Sequence, residues 1–381
     1  MINRVLAGAL RLTAAAVDNS SVTRIPTLDG WRAVAIAVVV VHHLARWFYQ
    51  QESAYALSVT RFGAFGVDVF FGLSGLLITR LLLDEFGRTG SFDLRGFYIR
   101  RAFRILPPYL MFLAVVTAAG MWRSAWEAAS CLLFFRNYVP DALTGGATQH
   151  LWSLAVEEHF YLLWPGLLAW VGARRSKNLA AGLALAVALW RMIQSQFAAP
   201  LLPLVPAHFR TDVRLDALLW GCVVAFLLDD AAARTRLTKQ LRFGVWCAMA
   251  GLLGLCIAYY SELNSVMVAV LIPMLLAGTT LHPQWALSRA LDWAPVTWMG
   301  RISYSLYLWQ ALFLLPGWVH PAHWWQQWPA NLPMTVAVAA LSCYAIEKPL
   351  QRAGRKLASR SPSQSRDTGG RLKQRALATL E

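Results

Sequence analysis

The chain has 381 residues, 57% of them hydrophobic, only 14% charged, and 18 of them tryptophan. A soluble domain carries roughly a quarter charged residues. Apolar runs that recur from end to end therefore exclude a soluble domain with one anchor and predict an all-α polytopic membrane protein. The formal net charge of +15 would suit nucleic acid, but the basic residues fall mostly in short segments between apolar runs. That pattern belongs to membrane topology, with a lipid bilayer rather than nucleic acid as partner. Cys131, Cys222, Cys247, Cys256 and Cys343 lie singly in apolar segments, a spacing that predicts neither disulfides nor a metal site.

Residues 1–24 read as a cytoplasmic tail; Arg11 interrupts the first apolar run and leaves it too short for a signal peptide. A span needs roughly 20 predominantly apolar residues. Candidates lie near 31–49, 64–83, 105–122, 149–172, 178–196, 213–229, 243–260, 265–281, 302–320 and 331–347. With ten spans and both termini cytoplasmic, 27 of the 35 Lys and Arg residues fall on the cytoplasmic side. Letting the weak segment 125–139, with Glu127 and Arg136, span as well would turn "RRSK" outward. It is read instead as an outer loop with a half-buried hairpin or a short interfacial helix. The membrane domain is expected over 25–350, followed by a basic, disordered tail over 351–381. No internal repeat is visible, which counts against a transporter built from duplicated halves.

Ionisable groups inside spans are costly, so each is a functional candidate. In "DGWRAVAIAVVVVHH", Arg32 and His43 are eleven residues apart. That is three turns plus about 20°, so both share one face about 16 Å apart, while His42 lies about 80° to the other side. Arg32 also reads as a positive-inside anchor, and His43 as a packed hydrogen bonder. In "FGVDVFFGLSGLLITR", Asp68, Gly72 and Gly75 form a stripe suited to close helix packing. "GLSG" lacks the spacing of a nucleophile elbow, so Ser74 reads as a packing hydroxyl. Arg100, Arg101 and Arg104 cluster at the start of the third span, with Pro107 and Pro108 in its first turns. They serve as topological anchors or as a phosphate clamp. His150, Ser153, Glu157 and Tyr161 share a helical stripe, and a carboxylate there needs a partner or a proton. Arg214 and Asp216 stand at the outer end of another span, where they could simply pair with each other. The aromatic stretch 318–331 reads as an interfacial belt, with sugar stacking as the alternative.

Together, in this order, the stretches "LDGWRAVAIAVVVVHH", "GVDVFFGLSGLLIT", "FYIRRAFRILPPY", "LWSLAVEEHFYLLWP", "RLDALLWG", "GRISYSLYLWQ" and "EKP" resemble the membrane-bound acyltransferase family 3. Its members O-acylate surface polysaccharides, lipopolysaccharide, Nod factors and antibiotics. The resemblance implies an essential histidine at His43, with Arg32 as its motif partner and Glu157 as the glutamate of the "WSL" block. Asp68 and the Arg100, Arg101, Arg104 group match positions regarded in the family as functional or structural. Gln310 stands where many members carry histidine. Some members append an extracytoplasmic esterase-like domain; this chain is expected to be the minimal form.

The expectation is acyl transfer, of acetyl from acetyl-CoA, to a sugar hydroxyl of a surface glycan at a bacterial inner membrane, with no bound cofactor and no metal. A neutral imidazole can take the hydroxyl proton during attack on the thioester. His43 and Glu157 are the catalytic candidates. Arg32, Arg100, Arg101 and Arg104 are the candidates for holding the CoA phosphates, and Asp68, Ser153, Arg214 and Asp216 for support. Spacing does not separate direct transfer from an acyl-histidine intermediate. The rival reading is a proton-coupled transporter or flippase that uses His43 and Glu157 as a relay.

Overall fold

The computed structural model describes residues 25–48, 54–197, 209–259, 261–314 and 323–359, among which every regular element is helical. The expected N-terminal tail, 1–24, and the end of the C-terminal tail, 360–381, lie outside the described residues. So does the cytoplasmic placement of the termini.

Helix α1 (Pro26–Phe48), α2 (Ala54–Thr89), α3 (Leu94–Ala118) and the short α4 (Ala125–Leu132) lead into α5 (Leu151–Val171). Then come α6 (Ala173–Phe197), α7 (Thr211–Asp229), α8 (Ala231–Gln240), α9 (Phe243–Ala258) and α10 (Glu262–Leu281). The chain continues through α11 (Ala286–Leu291), α12 (Ala294–Arg301), α13 (Ser303–Leu314), α14 (Asn331–Ser342), a π-helical turn (Cys343–Glu347) and α15 (Lys348–Ser359).

A helical segment meets each of the ten candidate spans, but ten membrane crossings do not follow. Among the described residues, four helices are long and apolar enough to cross: Pro26–Ala45, Phe65–Thr89, Leu94–Ala118 and Glu262–Leu281. A fifth crossing is possible if α8 and α9, bent by 81°, act as one broken element. The others fall short for physical reasons. Helix α5 carries Glu157, Glu158 and His159, and α7 carries Asp212, Arg214 and Asp216. Helix α9 has 16 residues, and α13 and α14 have 12 each. The chain is an integral membrane protein with polar helices buried among apolar ones.

Two further expectations are corrected. Helix α3 begins about three turns before the expected span, because the Asp93 side chain accepts from the Gly96 amide and caps it; Pro107 and Pro108 therefore sit inside the helix. Residues 351–359, expected to be disordered, are helical as part of α15. That helix is strongly amphipathic and lies on α3, with Gly354 against the Phe103 side chain and Ala358 buried.

The segment 125–139 forms the short α4 and a 3-10 turn, so it holds no helix long enough to span. Buried Glu127 organises this loop, accepting from the amides of Arg123 at 2.7 Å and Gly145 at 2.8 Å and from the Thr148 hydroxyl. At its start, α1 is held by Thr27 donating to Asp292 at 2.7 Å and Trp31 donating to Thr279 at 2.9 Å.

The bundle centres on α2, which packs most extensively on α7 and α1. The glycine stripe explains how closely. A Cβ on Gly75 would lie 1.8 Å from the Leu218 carbonyl oxygen, and one on Gly221 would lie 2.4 Å from that of Gly72. These are backbone-to-backbone contacts, which only small residues permit.

Gly75→Ala is expected to destabilise the detergent-solubilised protein by about 1–3 kcal/mol. Gly87→Ala lies in the same helix with nothing within 4 Å of the added carbon; it should be neutral or stabilising by about 0.5–1 kcal/mol. Thermal unfolding of the two variants side by side checks both.

Candidate active site

The close approach of α2 and α7 brings two ion pairs together. Arg214 donates to Asp68 at 2.5 Å, and Arg191 donates to Asp216 at 2.9 Å. Arg214 and Asp216 are thus not partners of each other; each reaches a different helix. The reason is that a residue two positions along a helix points away by about 160°. Asp216 is wholly buried, and the side chains of Arg214 and Asp68 are 10% and 12% exposed. The Arg214 guanidinium also lies over Phe71 at 5.5 Å and Trp152 at 5.7 Å. Charges in an apolar bundle persist only when an opposite charge is paired with them.

Beside this framework, α1, α2, α3, α5 and α13 enclose a cavity with about 740 Å³ of empty space, counting its open mouth. One end is basic, lined by Arg32, Arg101 and Arg104. The middle holds Ser74, Glu157 and Tyr161, and the opposite end Ser153, Tyr307, Phe71 and Val67. Five helices converge because the polar faces of α1, α3 and α5 avoid lipid by facing one another.

Glu157 is held from two helices. Ser74 donates to its Oε1 at 2.8 Å, and the Tyr161 hydroxyl lies 2.8 Å from Ser74 Oγ and 3.3 Å from Glu157 Oε2. The phenol has one proton, so it serves one of these acceptors at a time. Arg101 covers the Tyr161 ring at 4.3 Å from its centre, a cation–π contact that fixes the guanidinium at the basic end. Arg32 is steadied by buried Asp29, which accepts from it at 3.0 Å. At the far end, Ser153 Oγ lies 2.5 Å from the Tyr307 hydroxyl, which donates to the His150 carbonyl at 2.7 Å.

The structure sorts the candidates. Arg32, Arg101, Arg104, Ser153 and Glu157 line one cavity. Arg100 does not; it reaches Glu85 at 3.6 Å and Asp93 at 3.7 Å on the surface. Asp68, Arg214 and Asp216 form the supporting framework rather than the lining. His43 is not among the lining residues. Gly63 packs on His42, and Gly66 on Ala35 and Val39. Hence Val67, at the cavity's far end, lies about one turn short of the level of the two histidines. Ser74, read as a packing hydroxyl, is instead the donor to Glu157. Tyr307 is a further lining residue; its spacing from Ser303 and Tyr304 in "SYSLY" marks the polar helix face that places it there.

A family described as "Acyltransferase domain" matches residues 25–347. The chain belongs to this acyltransferase family. A putative peptidoglycan O-acetyltransferase, YrhL of Bacillus subtilis (strain 168), is 30% identical over 87% of this chain and 55% of its own length. The peptidoglycan O-acetyltransferase OatA of Listeria monocytogenes is 28% identical over 87% of this chain and 56% of its own length. The O-acetyltransferase OatA of Staphylococcus aureus (strain NCTC 8325 / PS 47) is 28% identical, covering 87% and 58%. The chain therefore spans little more than half the length of these curated relatives. No solved structure matches.

For the framework of this acyltransferase domain, Asp68→Asn is expected to cost about 3–5 kcal/mol, because Arg214 keeps its buried charge without a counter-charge. Combining it with Arg214→Met should recover part of that loss. Unfolding midpoints of the single and double variants in detergent give the coupling.

Proposed function

We propose that the protein is an integral membrane O-acetyltransferase that moves an acetyl group from acetyl-CoA to a sugar hydroxyl of a surface glycan. The placement is the bacterial inner membrane. What supports this reading is the polarity of the cavity, with three arginines at one end and a clamped carboxylate in its middle. The family membership and the relatives named as peptidoglycan O-acetyltransferases support the reaction class; peptidoglycan is the first acceptor to test, with lipopolysaccharide and related glycans after it.

In this reading Arg32, Arg101 and Arg104 hold the donor's phosphates at the cytoplasmic mouth, since guanidinium groups match phosphate oxygens in charge and geometry. The acyl arm extends past Glu157 toward the level of His43. The distance from Arg32 to His43, roughly 16 Å along the helix, suits a long flexible arm. The His43 imidazole takes the proton of the sugar hydroxyl as its oxygen attacks the thioester carbonyl. The C–S bond then breaks, and the departing thiolate takes the proton back from the imidazolium. The products are an O-acetyl sugar and free CoA thiol. Glu157, held in place by Ser74 and Tyr161, supplies a fixed negative charge that favours the imidazolium in a medium of low dielectric.

Two outcomes are expected with purified protein in liposomes, followed by CoA release and by the mass of the acceptor. His43→Ala loses transfer while keeping its unfolding midpoint, and His42→Ala retains it. Full activity in folded His43→Ala overturns the assignment, and loss in His42→Ala alone moves it to the other ring. Arg104→Gln raises the KM for acetyl-CoA by about tenfold or more, the loss of one charge-assisted contact. Acceptor movement across the bilayer without thioester consumption would instead establish a transporter. Mass spectrometry of surface glycans from cells with and without the gene identifies the acceptor by the added acyl mass.

A further inference from the structure

Beyond the cavity's far end, two buried side chains carry polar atoms that the fold leaves unpartnered. Gln310 on α13 is 0% exposed, and neither its amide oxygen nor its amide nitrogen has a hydrogen-bond partner among the described residues. His150, at the start of α5, is 5% exposed, and its Nδ1 is likewise buried and unpartnered. Burying such groups unpaired costs free energy that nothing in the bundle returns.

Helical phase puts both on the faces that line the cavity. Gln310 follows the lining residue Ser303 by seven residues, which is two turns less about 20°. His150 has helical backbone angles (φ −63°, ψ −19°) and precedes Glu157 by the same interval. It therefore continues the Glu157 stripe by two turns. His43 continues the Arg32 stripe of α1 in the same way, and α13 packs on α1. The depths agree as well. Tyr307 donates to the His150 carbonyl at 2.7 Å, and Gln310 lies one turn farther along α13. The rings of Phe112 and Tyr307, each centred 5.5 Å from the centre of the His150 ring and set edge-to-face with it, pack against the imidazole.

The polarity of these groups identifies the ligand chemistry. His150 Nε2 lies 3.2 Å from the Leu308 carbonyl, which can only accept, so Nε2 carries the proton and Nδ1 presents a lone pair. Gln310 offers a donor and an acceptor. A sugar ring bearing adjacent hydroxyls, each donor and acceptor at once, answers all three positions; an apolar acyl chain answers none. We infer that Gln310 and His150 form the acceptor subsite, holding a sugar through its hydroxyl groups beside His43. This inference rests on the proposed acetyl transfer and adds where the acceptor binds.

The test uses the full chain in detergent with chitotetraose, an oligosaccharide of N-acetylglucosamine, as acceptor probe. Gln310→Met keeps length and volume while removing the amide. It is expected to raise the KM for chitotetraose about tenfold, more than it lowers kcat, and to weaken donor-free chitotetraose binding by a similar factor. Gln310→His, which keeps a hydrogen-bonding group at that depth, should restore most of the loss. A purely packing role predicts the reverse pattern: Gln310→Met more heat-stable, with binding and KM unchanged, and that result overturns the inference. So does an absence of chitotetraose binding by the unsubstituted protein. If the unsubstituted protein binds the sugar through Gln310 but transfers no acetyl group, the subsite stands and the proposed reaction fails.

Discussion

The backbone contact between α2 and α7 is the constraint on which the rest of the molecule depends. Gly75 faces the Leu218 carbonyl, and Gly221 faces that of Gly72, with no room for a side chain at either place. Lipid tails give helices no hydrophobic reason to associate, so close packing and hydrogen bonds must hold them. The same approach carries Asp68 to Arg214, a pair that could not stay ionised at a looser interface. Once α2 is fixed there, its next polar residue, Ser74, meets Glu157 on α5. Packing and site geometry share one cause.

The cavity follows from a second constraint, that polar faces of several helices have to turn away from lipid together. Arginines from α1 and α3 meet at one end; the carboxylate of α5 and the hydroxyls of α2 and α13 occupy the interior. A cationic end that leads to a clamped anion gives the space a direction. A donor that carries phosphates at one end and a reactive acyl group at the other has the matching polarity. Arg100 shows how selective this is. Its neighbour Arg101 covers Tyr161 in the cavity, while Arg100, turned by about 100°, joins Glu85 and Asp93 outside.

Much of this was legible in the chain. The all-helical architecture follows from apolar runs, the close α2 contact from the Asp68, Gly72, Gly75 stripe, and the shared polar stripe of α5 from the spacing of Ser153, Glu157 and Tyr161. The number of membrane crossings was not legible. Charged residues in α7 and polar ones in α5 lower their apolarity, and only burial against other helices explains how they are tolerated. Nor was the helicity of 351–359, because the basic composition of α15 conceals an apolar side whose partner, Phe103, lies far away in sequence.

By itself the sequence determined the class of molecule, the apolar helical segments, and which residues share a helical face, since these depend on composition and on a period of about 3.6 residues. Tertiary structure alone decided the partners: Arg214 with Asp68 and Arg191 with Asp216, Ser74 with Glu157, Arg101 in the cavity and Arg100 outside it. Pairing across helices depends on which faces meet and at what height. That is set by long-range packing, which no local period encodes.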